Sequence, residues 1–175
     1  DVVVTAGAAR GDALERTLRL AGGEPLVRHN LNRLVRMLRN VPGIEEISLT
    51  TNGLLLAQQA AALKNAGLDR LNVSLDTLDP ARFFQITRRT GFERVLEGIF
   101  AAQRAGFTKI KINTVAIRGI TEEDIVPLGR FAREHNFEVR FIEFMPLDAD
   151  AAWDNDKVLP GDEILQRLSD EIGPL

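Results

Sequence analysis

Short β-rich runs alternate with longer helical patterns along this chain. Apolar and β-branched residues predict strands at 17–21, 46–50, 70–75, 109–115 and 138–144, with an additional strand at 2–5. Between the strands, the spacing of apolar residues predicts helices over 26–40, 54–66, 92–105 and 122–136. One face of the helix at 92–105 carries Phe92, Val95, Leu96, Ile99 and Phe100. A repeated strand–helix order predicts parallel strands joined by right-handed crossovers.

The fold class follows from this order and from the residues that begin the helices. Asp79 before Pro80 predicts an N-cap, and Thr121 with Asp124 resembles a capping box. Five or six strand–helix units are too few for a closed barrel of eight. We therefore predict an α/β fold, a partial, open (β/α) barrel of about five to six parallel strand–helix units. Without a linker or low-complexity tract, residues 1–175 are expected to form a single domain.

Composition narrows the classes of ligand and location. A net charge of −3 and a pI near 5.5 give no general basic surface, so we expect neither nucleic acid nor a membrane as partner. The absence of a long apolar run or a signal-like N-terminus predicts a cytoplasmic location. The chain has no cysteine, and His29 and His135 lie far apart in polar surroundings, so we predict no metal ligand.

Polar and glycine residues collect where the predicted strands end, the edge at which ligands bind in such folds. The sequence GGEP at Gly22–Pro25 lets a ligand approach the backbone, although a tight turn alone would also explain it. The sequence SLTTNG is a second candidate, and an ordinary loop is its alternative. Ser74 and Asp76 alternate with Leu75 and suit ribose or ammonium groups, with helix capping as the alternative.

Three cations lie within strand patterns. Lys111 stands between β-branched residues in IKINTV, and Arg19 and Arg140 repeat the pattern on other strands. Because a buried charge is costly unless paired, these side chains predict a cradle for a phosphate group. Snorkelling on an exposed strand face is the alternative. We predict no catalytic side chain, so the chemistry would be carried by a cofactor.

Six motifs in order and spacing carry a resemblance. They are RLAGGEPLVR, ISLTTNG, LDRLNVSLDTLD, FFQITRRTGFERVLEGI, AGFTKIKINTVAIRGITEED and FAREHNFEVRFIEFMPLD, followed by Trp153. Together they resemble the molybdenum cofactor biosynthesis protein A family (MoaA), the radical S-adenosylmethionine (SAM) GTP 3′,8-cyclases. The resemblance runs from about Arg19 to Trp153.

The resemblance implies an iron–sulfur lyase that rearranges GTP to a cyclic dehydro-nucleotide, the first step toward molybdopterin. In the family, a [4Fe-4S] cluster cleaves SAM, and the deoxyadenosyl radical takes a hydrogen from the GTP ribose. By matching positions, Gly23, Ser74 and Met145 would bind SAM. Arg19, Thr50, Lys111 and Arg140 would bind GTP. The family also implies a homodimer.

The chain departs from the family in its cysteines. Neither the family's CxxxCxxC motif nor its second set of three cysteines is present. We therefore expect either a central portion of such an enzyme, shortened at both ends, or a degenerate copy of one. It would retain the SAM and GTP sites but be inactive alone. The strand edge beside residues 17–21 is expected to be exposed.

Two alternatives stay open at this point. Another radical SAM enzyme would share GGEP but would have no reason to combine Lys111, Arg140 and the FIEFMPL run. A non-catalytic module that binds a nucleotide or SAM would agree with the absence of cysteine. Replacement of Lys111 without effect on GTP affinity would favour the first alternative.

Overall fold

Six strands follow chain order in one sheet. The computed structural model describes residues 2–6, 17–145 and 155–173, so Trp153 lies outside the described residues. The strands are β1 (Val2–Ala6), β2 (Thr17–Gly22), β3 (Glu46–Thr51), β4 (Arg70–Ser74), β5 (Ile110–Ala116) and β6 (Glu138–Glu143). The predicted strands are confirmed, and each predicted bound lies within one residue of the observed bound.

Six α-helices separate or follow these strands in the described part of the chain. They are α1 (Leu31–Arg39), α2 (Leu56–Asn65), α3 (Pro80–Thr87), α4 (Phe92–Arg104), α5 (Ile125–His135) and α6 (Gly161–Ile172). None of the helices in residues 2–6, 17–145 and 155–173 is long and apolar enough to cross a membrane. The fold class is α/β, as predicted.

Local chemistry explains where the helices differ from the predicted ranges. α1 begins later than predicted because Pro25–Val27 forms a 3-10 turn and Asn30 adopts a left-handed conformation with φ of 57°. Asp79 caps α3 as predicted, since its carboxylate accepts a hydrogen bond from Arg82 N. The predicted capping box is wrong, because Thr121 Oγ1 donates to Val115 O and accepts from Ile117 N. α6 was not predicted.

The structure divides into two compact units. Unit 1 comprises Asp1–Ser74 and Gly91–Lys111, and unit 2 comprises Leu75–Thr90 and Ile112–Leu175. In unit 1, β1 runs antiparallel to β2, whereas β2, β3 and β4 are parallel. The expectation of an exposed edge beside β2 is therefore wrong, because β1 pairs along it. The single domain stays a prediction.

The strands of unit 1 have two chemically distinct faces. The register pairs Leu20 with Leu49 and Leu49 with Leu71, and all three side chains are fully buried. Alternation along the strands places polar residues on the opposite face, which we call the polar face. The polar face carries Arg19, Ser48, Thr50, Arg70, Asn72, Ser74 and Lys111.

Two glycines let α4 pack closely on the apolar side of unit 1. A Cβ atom on Gly53 would lie 3.0 Å from Val95 Cγ1 and 3.1 Å from Val73 Cγ1. A Cβ atom on Gly98 would lie only 2.7 Å from the carbonyl oxygen of Gly53 and 3.0 Å from Leu56 Cβ. The close contact of α4 with the start of α2 therefore depends on a glycine at position 98.

We expect Gly98→Ala to lower the free energy of unfolding by about 2 kcal/mol, because overpacking against a fixed backbone carbonyl forces a shift of the helix. Gly129→Ala in α5 is the matched comparison. Its added methyl would meet Leu168 Cδ2 and Ile172 Cδ1, which are flexible side-chain ends that can move aside. The higher helix propensity of alanine favours both variants equally, so the difference reports the packing. Urea unfolding of both variants checks this, and equal losses would contradict it.

Unit 2 has its own core beneath α5 and α6. Its fully or nearly buried members are Ala116, Ile125, Leu159, Ile164 and Leu168. An ion-pair network at the surface joins α6 to the loop after β5. Glu163 accepts hydrogen bonds from both Arg118 and Arg167, and these guanidinium groups lower the pKa of Glu163 to about 2.

Candidate functional site

The turn after β2 exposes backbone at the carboxyl end of unit 1. Gly22 has a φ of 139°, a conformation that glycine adopts readily, so the turn itself requires glycine there. Gly23 has no such requirement, and a Cβ atom added to it would meet nothing within 4 Å. Gly23 therefore faces open space, and its role in ligand binding stays a prediction.

Glu24 fixes this turn to the end of the next strand. Its Oε1 atom accepts hydrogen bonds from Leu26 N at 3.0 Å and from Thr51 Oγ1 at 2.7 Å. Its Oε2 atom accepts a hydrogen bond from Asn52 N at 2.7 Å. The carboxylate of Glu24 thus holds the ends of β2 and β3 together and stabilises the turn between β2 and α1.

The polar face brings together two of the predicted GTP residues. Thr50 pairs in register with Asn72, and Asn72 Nδ2 donates a hydrogen bond to Thr50 Oγ1 at 3.3 Å. Leu71 N donates to Lys109 O, which places Lys111 in register with Asn72. Lys111 is only 6% exposed and Asn72 only 8%. Three polar side chains therefore lie in one row across β3, β4 and the start of β5.

Sequence reasoning missed Asn72, although a signal for it was present. In RLNVS, the polar residues Arg70, Asn72 and Ser74 alternate with Leu71 and Val73. That period of two separates the polar face from the apolar face of β4. The same alternation placed Lys111 among the predicted site residues.

Two further predicted residues lie on the same face of unit 1. Arg19 on β2 is exposed and pairs in register with Ser48 of β3. Ser74 is exposed at the carboxyl end of β4. Unit 1 therefore carries Arg19, Gly23, Thr50, Ser74 and Lys111, and all but Gly23 share the polar face.

Unit 2 carries the other two predicted residues. Arg140 is exposed on β6 and lines an open groove of about 660 Å³ together with Leu165 and Leu168 of α6. Met145 follows β6 and is half exposed. Glu143, between them, accepts a hydrogen bond from Gly161 N at the start of α6. The convergence of Arg140 with Arg19 and Lys111 stays a prediction.

Asp76 in unit 2 is held as a backbone acceptor. Its Oδ1 atom accepts a hydrogen bond from Val115 N at 2.8 Å. Burial raises the pKa of the Asp76 carboxyl, the hydrogen bond from Val115 opposes this rise, and the charge of Asp124 adds to it. Asp124 itself is 3% exposed and accepts hydrogen bonds from Thr77 and Arg82.

We expect Asp76→Asn to raise the free energy of unfolding at pH 7, since the amide oxygen can still accept from Val115 N without a buried charge. The pKa of Asp76 is raised in the folded chain. The folded chain therefore keeps the proton of this carboxyl at pH values at which the unfolded chain has already lost it. Stability therefore falls as pH rises above about 3.8 through the raised pKa. Urea unfolding at pH 4 and pH 7 should show a gain for the variant mainly at pH 7, and an equal gain at both would contradict this.

The side chains of the described residues do not form a site for a metal ion or an iron–sulfur cluster. Among the residues that the structure describes, no three His, Asp or Glu side chains come together in a way that could hold a metal ion. No cysteine occurs in the 175 residues, so these residues do not supply the thiolates that an iron–sulfur cluster uses. Gly23, by contrast, faces open space and Ser74 is exposed, so both leave room for a small polar organic ligand.

The class of protein to which this chain belongs is shown by comparison with known families. The family model of the radical SAM superfamily matches residues 3–132. The chain belongs to the radical SAM superfamily, as predicted. This family is defined by SAM and a [4Fe-4S] cluster.

The chain is similar to GTP 3′,8-cyclases over most of its length. The GTP 3′,8-cyclase of Rhodopirellula baltica is 54% identical over 158 residues, which cover 90% of this chain and 44% of that protein. The one from Pelotomaculum thermopropionicum is 44% identical over 175 residues, which cover 100% of this chain and 53% of that protein. The chain thus spans about half the length of these relatives.

Solved structures of other proteins have a similar fold. A domain of pyruvate-formate lyase-activating enzyme from Bacteroides vulgatus gives a TM-score of 0.65 at 18% identity, with 88% of this chain and 91% of that chain covered. Coproporphyrinogen III oxidase from Escherichia coli, a radical SAM enzyme, gives 0.62 at 17% identity, with 89% and 39% covered. These similarities confirm the predicted fold class, a partial α/β barrel.

Proposed function

We propose that the chain carries the SAM-binding and GTP-binding strands of a GTP 3′,8-cyclase, the radical SAM lyase of molybdenum cofactor biosynthesis. The observation that supports this most is Lys111, a lysine on the polar face that lies in one row with Thr50 and Asn72 and is only 6% exposed. An ammonium group on this face suits a triphosphate, because lysine offers a compact positive charge to phosphate oxygens. The similarity to named GTP 3′,8-cyclases supports the same substrate.

The proposed roles divide between two ligands. Arg19, Thr50, Lys111 and Arg140 bind GTP, and Gly23, Ser74 and Met145 bind SAM. When bound, SAM supplies the radical that abstracts hydrogen from the GTP ribose in the family. Arginine offers paired hydrogen bonds to phosphate oxygens and lysine offers a compact charge, so the two residue types together orient a triphosphate.

The residues of this chain bind and orient ligands in this proposal, and no step is assigned to an iron–sulfur cluster. Without cysteine, the 175 residues are proposed to be inactive alone. GTP is a cytoplasmic nucleotide, so the cytoplasm is the proposed location. The homodimer stays a prediction that sedimentation equilibrium can test.

Calorimetric titration of the chain with GTP, ATP and SAM tests the proposal. We expect micromolar binding of GTP, weaker binding of ATP, and separate binding of SAM. Arg19→Ala should weaken GTP binding, whereas Arg104→Ala at the exposed end of α4 should not. Binding of SAM without GTP would favour a different radical SAM enzyme, and binding of neither would contradict the proposed function.

A further inference from the structure

Asn72 lies at the centre of the polar row but belongs to none of the predicted ligand sites. It is on β4 between Thr50 of β3 and Lys111 of β5, and it is 8% exposed. Its amide nitrogen donates to Thr50 Oγ1 at 3.3 Å. A buried polar side chain in such a position has to be matched to its neighbours, because unsatisfied polar groups are costly.

The direction of this hydrogen bond determines what Thr50 can do. A hydroxyl group has one proton and two lone pairs. When the oxygen accepts from Asn72, its proton is available for another acceptor. Within the described residues, the Thr50 hydroxyl accepts this bond and donates none to the protein.

The neighbouring threonine shows the contrast. Thr51 Oγ1 donates to Glu24 Oε1 at 2.7 Å and accepts from Gly53 N at 3.0 Å. Its proton is therefore used within the protein, and the residue is 2% exposed. Thr50 differs from Thr51 because it lies on the polar face, is partly exposed and retains its donor.

From this geometry we infer that Asn72 is a positioning residue that makes the Thr50 hydroxyl a hydrogen-bond donor to an acceptor oxygen or nitrogen of the nucleotide. The inference rests on the proposed function, since it names how the GTP site recognises one part of its ligand. Asn72 acts through Thr50 and needs no contact with the nucleotide. Asn72 and Thr50 should therefore be energetically coupled in GTP binding.

A double-mutant cycle in the full chain tests the coupling. GTP affinity is measured by calorimetry for Asn72→Ala, for Thr50→Val and for the two changes together. We expect each single change to weaken binding about fivefold, as for one hydrogen bond. The double variant should bind no more weakly than Thr50→Val. Asn72→Ala in a Thr50→Ser background, where the hydroxyl is retained, should still cost about fivefold.

Controls separate this role from a structural one. Asn72→Leu fills the space that alanine would leave, so it replaces Asn72→Ala in the cycle if the alanine variant unfolds. Additive effects on GTP affinity, or unchanged affinity in folded variants, would overturn the role of Asn72 and leave the proposed function standing. Failure of the unaltered chain to bind GTP would overturn the proposed function and this inference with it.

Discussion

Replacing Lys111 with methionine is expected to weaken GTP binding about 30-fold. A hydrogen bond to a charged group contributes about 2 kcal/mol, which corresponds to this factor. Methionine keeps much of the length of the side chain, so the buried position stays filled while the charge is removed. Calorimetric titration of GTP into the wild-type chain and the variant measures the difference.

Lys109→Met is the matched control for this prediction. Lys109 lies two residues before Lys111, its side chain is 61% exposed, and its Nζ atom is 3.7 Å from Glu46 Oε2. Its replacement removes the same charge at a solvent-exposed position, where an ion pair contributes little. If folded Lys111→Met binds GTP within twofold of wild type, Lys111 does not bind the triphosphate.

Replacing Glu24 with alanine should lower the free energy of unfolding by about 3 kcal/mol. The backbone nitrogens of Leu26 and Asn52 would lose their acceptor, and each unsatisfied donor away from water costs about 1–3 kcal/mol. Glu24→Gln retains one acceptor oxygen and should lose about 1 kcal/mol. Urea unfolding, followed by circular dichroism, measures all three chains.

Glu97→Ala provides a control for the loss of a glutamate. Glu97 is exposed on α4, so its replacement should change stability by less than about 0.5 kcal/mol. A loss for Glu24→Ala as small as that for Glu97→Ala would mean that the carboxylate does not hold the ends of β2 and β3 together.

The sequence predicted the strands well because the period of hydrophobic residues is a local property. The alternation of apolar and polar residues was enough to assign Leu71 and Val73 to the apolar face and Lys111 to the polar face. The starts of the helices were harder to predict. Asn30 adopts a left-handed conformation that delays the start of α1, and asparagine is compatible with this conformation without requiring it. α6 escaped prediction although Ile164 and Leu168 are buried at helical spacing.

The site could be predicted in its residue types but not in its hydrogen bonds. Glu24 was recognised as part of GGEP, yet its bonds to Thr51 and Asn52 join residues 27 and 28 positions apart. Thr121 fitted a capping pattern, but its hydroxyl donates to Val115 O and accepts from Ile117 N instead. The partners of Glu24 depend on how β2 and β3 pair in register, which a local pattern does not specify.

The most direct test of the polar face as the GTP site is an NMR spectrum of the chain labelled with ¹³C-lysine. The chain has only four lysines, Lys64, Lys109, Lys111 and Lys157, so each Cε–Hε signal can be assigned by single substitution. Addition of GTP is predicted to shift the Lys111 signal and to leave those of Lys64 and Lys109 in place. A Lys111 signal that stays unchanged while GTP binds would contradict the account.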